Sequence, residues 1–254
     1  MKTKLLTLFA GVCAVILTGC TSVATFDYAA APGPMIKIKE AGSSTKTIAV
    51  LPFLDQRGEK YADPSQAHIA AAYPAGDNGS FYLGFIPLLP AGFVEKGEPE
   101  NSPDFVSMGR FHFDVQNDLA YASMLSLKAS NLFSKVTRAN NLEQAQADYI
   151  WRGKLTNTYY SGSIFSYCIT YFFAPALWVI GAPYGVSENE LWLTFELVER
   201  ASGKVVWSYG FRERDYIIHW LYARIGKDTS LYPQLMKKAM NGALVDLNKK
   251  MPNL

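Results

Sequence analysis

From Leu191 to Glu199 apolar and polar positions alternate: Leu191, Leu193, Phe195 and Leu197 interleave with Trp192, Thr194, Glu196 and Val198. Successive side chains of a strand point to opposite faces, so this period of two predicts a strand with one aliphatic row. Ala201-Ser202-Gly203-Lys204 follows as a tight-turn signal, and Val205 to Tyr209 predicts the return strand of a hairpin. Thr47 to Phe53 is short, almost wholly apolar and rich in β-branched residues, as in a strand buried on both faces. Pro52 sets its end. Tyr149 to Tyr160 reads as another strand and Phe133 to Thr137 as a short one. A period near 3.6 predicts a helix over 107–133, with Phe111, Val115, Leu119, Ala122, Leu125 and Ala129 on one stripe. Leu142 to Ala147 predicts a short helix. A final helix is expected from Ser230 to Lys250, with Leu231, Leu235, Ala239, Ala243, Leu244 and Leu247 facing inward. Lys249 and Lys250 sit at its negative dipole end.

This order predicts an α+β (α/β-like) fold: a mixed β-sheet with a C-terminal antiparallel hairpin, packed against two main amphipathic helices. One domain is expected over 47–254. It contains an irregular excursion at 55–103, broken by Pro64, Pro74, Pro87, Pro90, Pro99 and Pro103, and an apolar insertion at 163–187. Phe85, Ile86 and Leu88 lie in the apolar middle of the excursion. They are expected to pack over the core, with a partner-docking patch as the alternative.

Ahead of that domain the chain changes character. Lys2 and Lys4 precede an apolar run from Leu5 to Leu17, which ends in Leu17-Thr18-Gly19-Cys20. Charge, a short apolar run and a small residue before a cysteine have the layout of a cleavable export signal. The ending resembles the lipobox of bacterial lipoproteins, which implies a leader over 1–19 and lipidation at Cys20. Residues 20–46 then read as a lipidated tether, loosened by Ala29-Ala30-Ala31-Pro32-Gly33-Pro34. Thr21 is not the aspartate that often marks inner-membrane retention, so the resemblance implies the periplasmic face of the outer membrane.

The chain has 254 residues, 49% of them hydrophobic and 18% charged, as in a globular protein. It has 24 Lys+Arg against 22 Asp+Glu, and loss of Lys2 and Lys4 leaves 22 against 22. A neutral chain without a basic run has no electrostatic footprint for nucleic acid, which argues against that class of partner. With Cys13 in the leader and Cys20 acylated, Cys168 is left without a disulfide partner. Its aromatic neighbours point to a buried structural thiol.

No Asp, Glu, Lys or Arg occurs between Lys154 and Glu188. The stretch 164–182, at ~1.5 Å per residue, would nearly cross a ~30 Å hydrocarbon core. Pro175 near its middle and the absence of close basic flanks argue against a helical span. The favoured reading is a buried aromatic-rich insertion or helical hairpin. An interfacial patch ranks second and a membrane β-hairpin third. Phe172, Phe173 and Trp178 are the residues here that would touch a partner or a membrane.

Catalytic chemistry is not encoded at any recognisable spacing. His68, His112 and His219 are far apart and fit no metal-ligand pattern. Gly42-Ser43-Ser44-Thr45-Lys46 precedes a strand instead of following one, so it is no phosphate loop. Gly162-Ser163 lacks the nucleophile-elbow context. Arg212-Glu213-Arg214-Asp215 reads as a solvated salt-bridge face, with contact to a partner as the alternative. The expectation is a protein without a catalytic, cofactor or metal site.

Three segments together resemble a family. Thr47 to Phe53 is similar to the "IAVLPF" strand of curli-secretion (CsgG-like) lipoproteins and of the amino-terminal domain of TolB. Ala147-Asp148-Tyr149-Ile150-Trp151-Arg152-Gly153-Lys154-Leu155 is similar to their "ADYLLxGxL" strand, and Glu196 to Trp207 to their "LVDxxTGxVVW" hairpin. The resemblance implies a periplasmic α/β domain used in envelope assembly, secretion or scaffolding, with other envelope proteins or copies of itself as partners. The alternatives are an oligomeric CsgG-like secretion pore and, less favoured, a periplasmic hydrolase.

Overall fold

The computed structural model describes residues 22–25, 35–40, 44–57, 81–82, 91–97, 109–112, 114–165, 167, 174–223 and 231–252. Its strands in chain order are β1 (Ser22–Thr25), β2 (Thr47–Val50), β3 (Leu54–Asp55), β4 (Phe81–Tyr82), β5 (Ala91–Gly97), β6 (Gly109–His112), β7 (Lys135–Arg138), β8 (Tyr149–Asn157), β9 (Tyr160–Phe165), β10 (Pro183–Glu199) and β11 (Val205–Trp220). The helices are α1 (Val115–Ser130), α2 (Ala174–Val179) and α3 (Tyr232–Lys250).

Nine of these strands form one mixed sheet, and β1 pairs separately with β6, in parallel. β10 is its spine. Along one edge β10 pairs with β11 from Pro183 to Val198. Along the other it pairs with β8 over Trp192–Glu199 and with β9 over Gly185–Asn189, so β8 and β9 lie end to end. The lower half continues outward through β2 to β7 by parallel pairing. The upper half continues through β5 to β4 by antiparallel pairing. The sheet does not close, and with its helices it makes an α+β fold, as the element order predicts.

α1 and α3 cover one face of the lower half. α1 starts where the Asp114 carboxylate accepts the Asn117 N–H at 3.2 Å, and it stops at Asn131 in the left-handed conformation (φ 57°). α3 carries a proline in its first turn and Lys249 and Lys250 in its last, which suits its dipole. Leu119, Leu127, Trp151, Leu193, Phe195, Leu197, Met236, Met240 and Leu247 are among the residues of one core. Trp207 ties β11 to α3 by donating Nε1–H to Asp246 Oδ2 at 2.9 Å.

Several expected elements change. The first long helix begins at Val115, not Ser107, because Asp114 caps it and Gly109–His112 is extended. Leu142 to Ala147 is a run of turns, where the Gln144 N–H donates to Asn141 Oδ1 at 3.0 Å instead of starting a helix. Among its described residues the apolar insertion is no helical hairpin: β9 and the first residues of β10 are strands, and only the six residues of α2 are helical. The return strand runs on to Trp220, well past Tyr209. Within the excursion, Ala91–Gly97 is a strand paired with β9.

Candidate functional site

Alternation along β10 gives the lower sheet two unlike faces. Leu191, Leu193, Phe195 and Leu197 enter the core, so Trp192, Thr194 and Glu196 emerge on the side away from the helices. Register then brings Arg152 of β8 opposite Glu196, Lys154 opposite Thr194, and Arg212 of β11 opposite Trp192. Glu196 is only 9% exposed. It accepts Arg152 Nη2 at 3.0 Å through one carboxylate oxygen and Lys154 Nζ through the other. One step up the sheet, Glu190 accepts Trp192 Nε1 at 2.7 Å and Asn157 Nδ2 at 3.0 Å. The Arg212 guanidinium stacks 5.0 Å from the Trp192 ring centroid, and Arg214 meets Glu188 at 3.3 Å.

The result is a flat, ordered array of both signs. Arg152 Nε is buried without a hydrogen-bond partner, so the array holds more donor capacity than its own acceptors use. The exposed Arg214–Glu188 pair adds little stability. Fixed charges of alternating sign instead discriminate between partners and steer their approach. At the lower margin the open face is closed by a small apolar cluster of Ala49, Leu51, Ala139, Ala145, Ile150 and Val198.

Two further polar knots flank the array. Arg57 forks onto Asp55, with Nε to Oδ1 at 3.0 Å and Nη2 to Oδ2 at 2.9 Å, and donates Nη1 to Thr158 Oγ1 at 2.6 Å. The hydrogen bonds from Arg57 hold the Asp55 carboxyl below the usual range, against desolvation. At the foot of the sheet, Asp148 Oδ2 accepts both the Thr47 N–H and the Thr47 hydroxyl at 2.8 Å, which lowers its pKa. Lys46, Asp148, Tyr149, Glu199 and Arg200 line a shallow open cleft of about 480 Å³ there.

The Asp148 clamp predicts a pH effect. Its folded pKa lies below the ordinary aspartate value, so its contribution is complete above that ordinary value and disappears as pH falls through the folded one. The stability difference between the native chain and Asp148→Asn should therefore shrink between about pH 5 and pH 3 in urea melts. A difference that stays constant over that range would refute the clamp.

Cys20, Phe85, Ile86, Leu88, Phe172 and Phe173 lie outside the described residues, as do His68 and Cys168. Trp178 is half-buried in α2, donates Nε1–H to Phe165 O at 3.3 Å and meets Tyr184 edge-on. His219 is buried, 2.8 Å from Ser187 Oγ and stacked on Tyr184. Among the described residues no group of His, Cys, Asp and Glu is placed to hold a metal ion. Of the open-face array, the sequence singles out only Arg212 and Arg214, as part of a salt-bridge face, and Arg214 does pair with Glu188. The alternation marks Glu196 and Trp192 as outward-facing, but which charges meet depends on a register between strands some forty residues apart.

The fold and site thus define a mixed-sheet α+β domain with a charged, solvent-facing sheet surface. No family model matches the chain, and no curated protein matches it. Among solved structures it is similar to a Xanthomonas campestris protein of the DUF330 family, with 12% identity over 85% of this chain and 90% of that one (TM-score 0.38). It is also similar to the PelC dodecamer of Paraburkholderia phytofirmans, at 16% identity over 82% and 89% (TM-score 0.32). A third similar structure is the lipoprotein GNA1162 of Neisseria meningitidis, at 13% identity over 79% and 99% (TM-score 0.21). At these TM-scores the likenesses carry no argument about what this chain does. No described helix is long and apolar enough to cross a membrane, which leaves crossing by strands unaddressed.

Proposed function

We propose that this chain is a non-enzymatic lipoprotein, held by acylated Cys20 on the periplasmic face of the outer membrane, whose domain works by docking other envelope proteins. The observation that carries the reading is the leader, from Lys2 and Lys4 through the apolar run to Leu17-Thr18-Gly19-Cys20. Acyl chains contribute ~0.8 kcal/mol per buried CH₂, so the chains on such a cysteine hold a domain stably at a membrane. The open face supports docking, since its fixed charges of both signs suit selection of a protein surface. The three segments similar to CsgG-like proteins and TolB favour a scaffold or an assembly and secretion accessory.

Metabolic labelling with palmitate followed by density separation of inner and outer membranes tests this. The native chain is expected to take up label and sediment with the outer membrane, and Cys20→Ala is expected to do neither. Label incorporated equally by Cys20→Ala would remove the anchor.

A further inference from the structure

Charged residues of β5, β10 and β11 stop within three adjacent rows of the upper sheet, at Glu95, Glu188 and Asp215, and β9 carries none. Register aligns Glu95 of β5 with Gly162 of β9, Ser187 of β10 and Ile217 of β11, and the next row aligns Lys96, Ser161, Glu188 and Tyr216. Beyond them the rows read Val94, Ser163, Val186, Ile218 and then Phe93, Ile164, Gly185, His219, with no Asp, Glu, Lys or Arg on any of the four strands. β4 and β9 end at this margin, and β5 and β10 begin there. The sequences joining β4 to β5 and β9 to β10 are equally free of charge. In β11 and the turn after it, no charged residue occurs from Tyr216 to Ala223.

This end of the sheet is apolar and open. Val179, the last residue of α2, is 55% exposed, and Ile180, on the turn that follows, is 80% exposed. Tyr222 is 70% exposed and Leu221 lies beside it, on the turn that closes β11. The two turns touch, because the Tyr222 hydroxyl donates to Val179 O at 2.6 Å. Tyr216, also exposed, stands at the level where charge resumes.

Three polar side chains described at this end find their partners within the chain. Trp178 donates to Phe165 O, Tyr167 Oη to Pro183 O, and His219 pairs with Ser187 Oγ. A surface built to face water has no need to satisfy its hydroxyls and indole internally. A surface entering lipid does, because nothing there can take a hydrogen bond.

Resting on the lipid-anchored reading, we propose that this charge-free end seats in the headgroup–acyl boundary of the same leaflet, with Val179, Ile180, Leu221 and Tyr222 entering the acyl region. From the Glu188 row to Pro183 the strand covers about 17 Å, enough to place the charged rows in water while the end sinks ~5–10 Å. Tyr216 at the boundary is the residue type that favours an interface. A lipid surface fits better than a protein pocket because the last charges of β5, β10 and β11 (Glu95, Glu188 and Asp215) fall within three adjacent rows. A planar medium imposes such a limit, and a shaped pocket does not.

The test uses the lipidated full chain in phosphatidylethanolamine–phosphatidylglycerol vesicles, with Cys168→Ser removing the spare thiol. An environment-sensitive dye is attached at Ile180→Cys or, at the opposite end, at Ser202→Cys. Both positions are exposed, so labelling spares the core. The dye at 180 is expected to shift to the blue and to be quenched by nitroxide-labelled lipid at least about twofold more than the dye at 202. Vesicle flotation without quenching at 180 overturns the seat and leaves the anchor standing. A blue shift that follows protein concentration and ignores the lipid quencher means that a second copy covers this end, and also overturns it. Quenching at 180 in a chain that takes up no palmitate upholds the seat and removes the anchor.

Discussion

Replacing Gly153 with alanine is expected to destabilise the domain by about 3 kcal/mol, the upper part of the range for overpacking a filled core. A Cβ at this position would lie 2.1 Å from Phe53 Cε2, 2.2 Å from Cζ and 2.4 Å from Cδ2. The ring has nowhere to retreat. Phe53 is 1% exposed and packs edge-on against Phe195 with centroids 6.0 Å apart. Its own N–H donates to Gln116 O at 3.0 Å, which fixes its backbone to the first turn of α1. Relief must therefore come from shifting β8 away from β2 or α1 away from the sheet. In a domain of this size the expected loss lowers Tm by roughly 6–12 °C. Phe53→Leu in the alanine background should recover part of it, with a coupling of about 1 kcal/mol or more between the two positions. Urea melts of the four chains give the answer. A Gly153→Ala midpoint within error of the native one would show that the ring does not occupy this space.

Gly153 also shows how far the sequence could be read. A glycine within an apolar strand signals close approach, and the structure supplies an approaching group, the ring of Phe53. Local pattern likewise announced β2, the Gly203 turn (φ 67°) and α3, since each is set by periodicity or a turn residue within a few positions. The start of α1 was missed because Phe111 continues the apolar stripe of the helix, while Asp114 ends it by capping. The first residues of β10 were missed because Pro183-Tyr184-Gly185-Val186-Ser187 has no alternation of its own. It is held extended by β9 on one side and β11 on the other. The open-face array and the charge boundary of β5, β10 and β11 are both properties of register. Neither exists along the chain, and each appears only when strands distant in sequence are laid side by side.

The second large effect is expected at Trp151, where alanine should cost about 4 kcal/mol and phenylalanine less than about 1.5 kcal/mol. Trp151 is fully buried in β8, with its ring 5.3 Å from Phe195 and 5.5 Å from Trp207, nearly parallel to the latter. Alanine would open a cavity between the sheet and both helices. Phenylalanine keeps most of the ring contact and removes an indole N–H that is buried without a hydrogen-bond partner, so part of the lost packing is offset. Trp207 gives the opposite control. Its Nε1–H is used by Asp246 of α3, so Trp207→Phe removes one of two donors to a mostly buried carboxylate, leaving it Lys250 Nζ at 3.0 Å, and should cost more than Trp151→Phe. The comparison reaches function as well as stability. Arg152 and Trp151 are neighbours on β8 that point to opposite faces, so a strand loosened at the core loses the register that sets Arg152 against Glu196. Trp151→Ala should weaken capture of an envelope partner at temperatures where the domain is still folded, whereas Trp151→Phe should leave it unchanged. Equal melting points for the alanine and phenylalanine variants would mean that the stacked pair does not hold the sheet together.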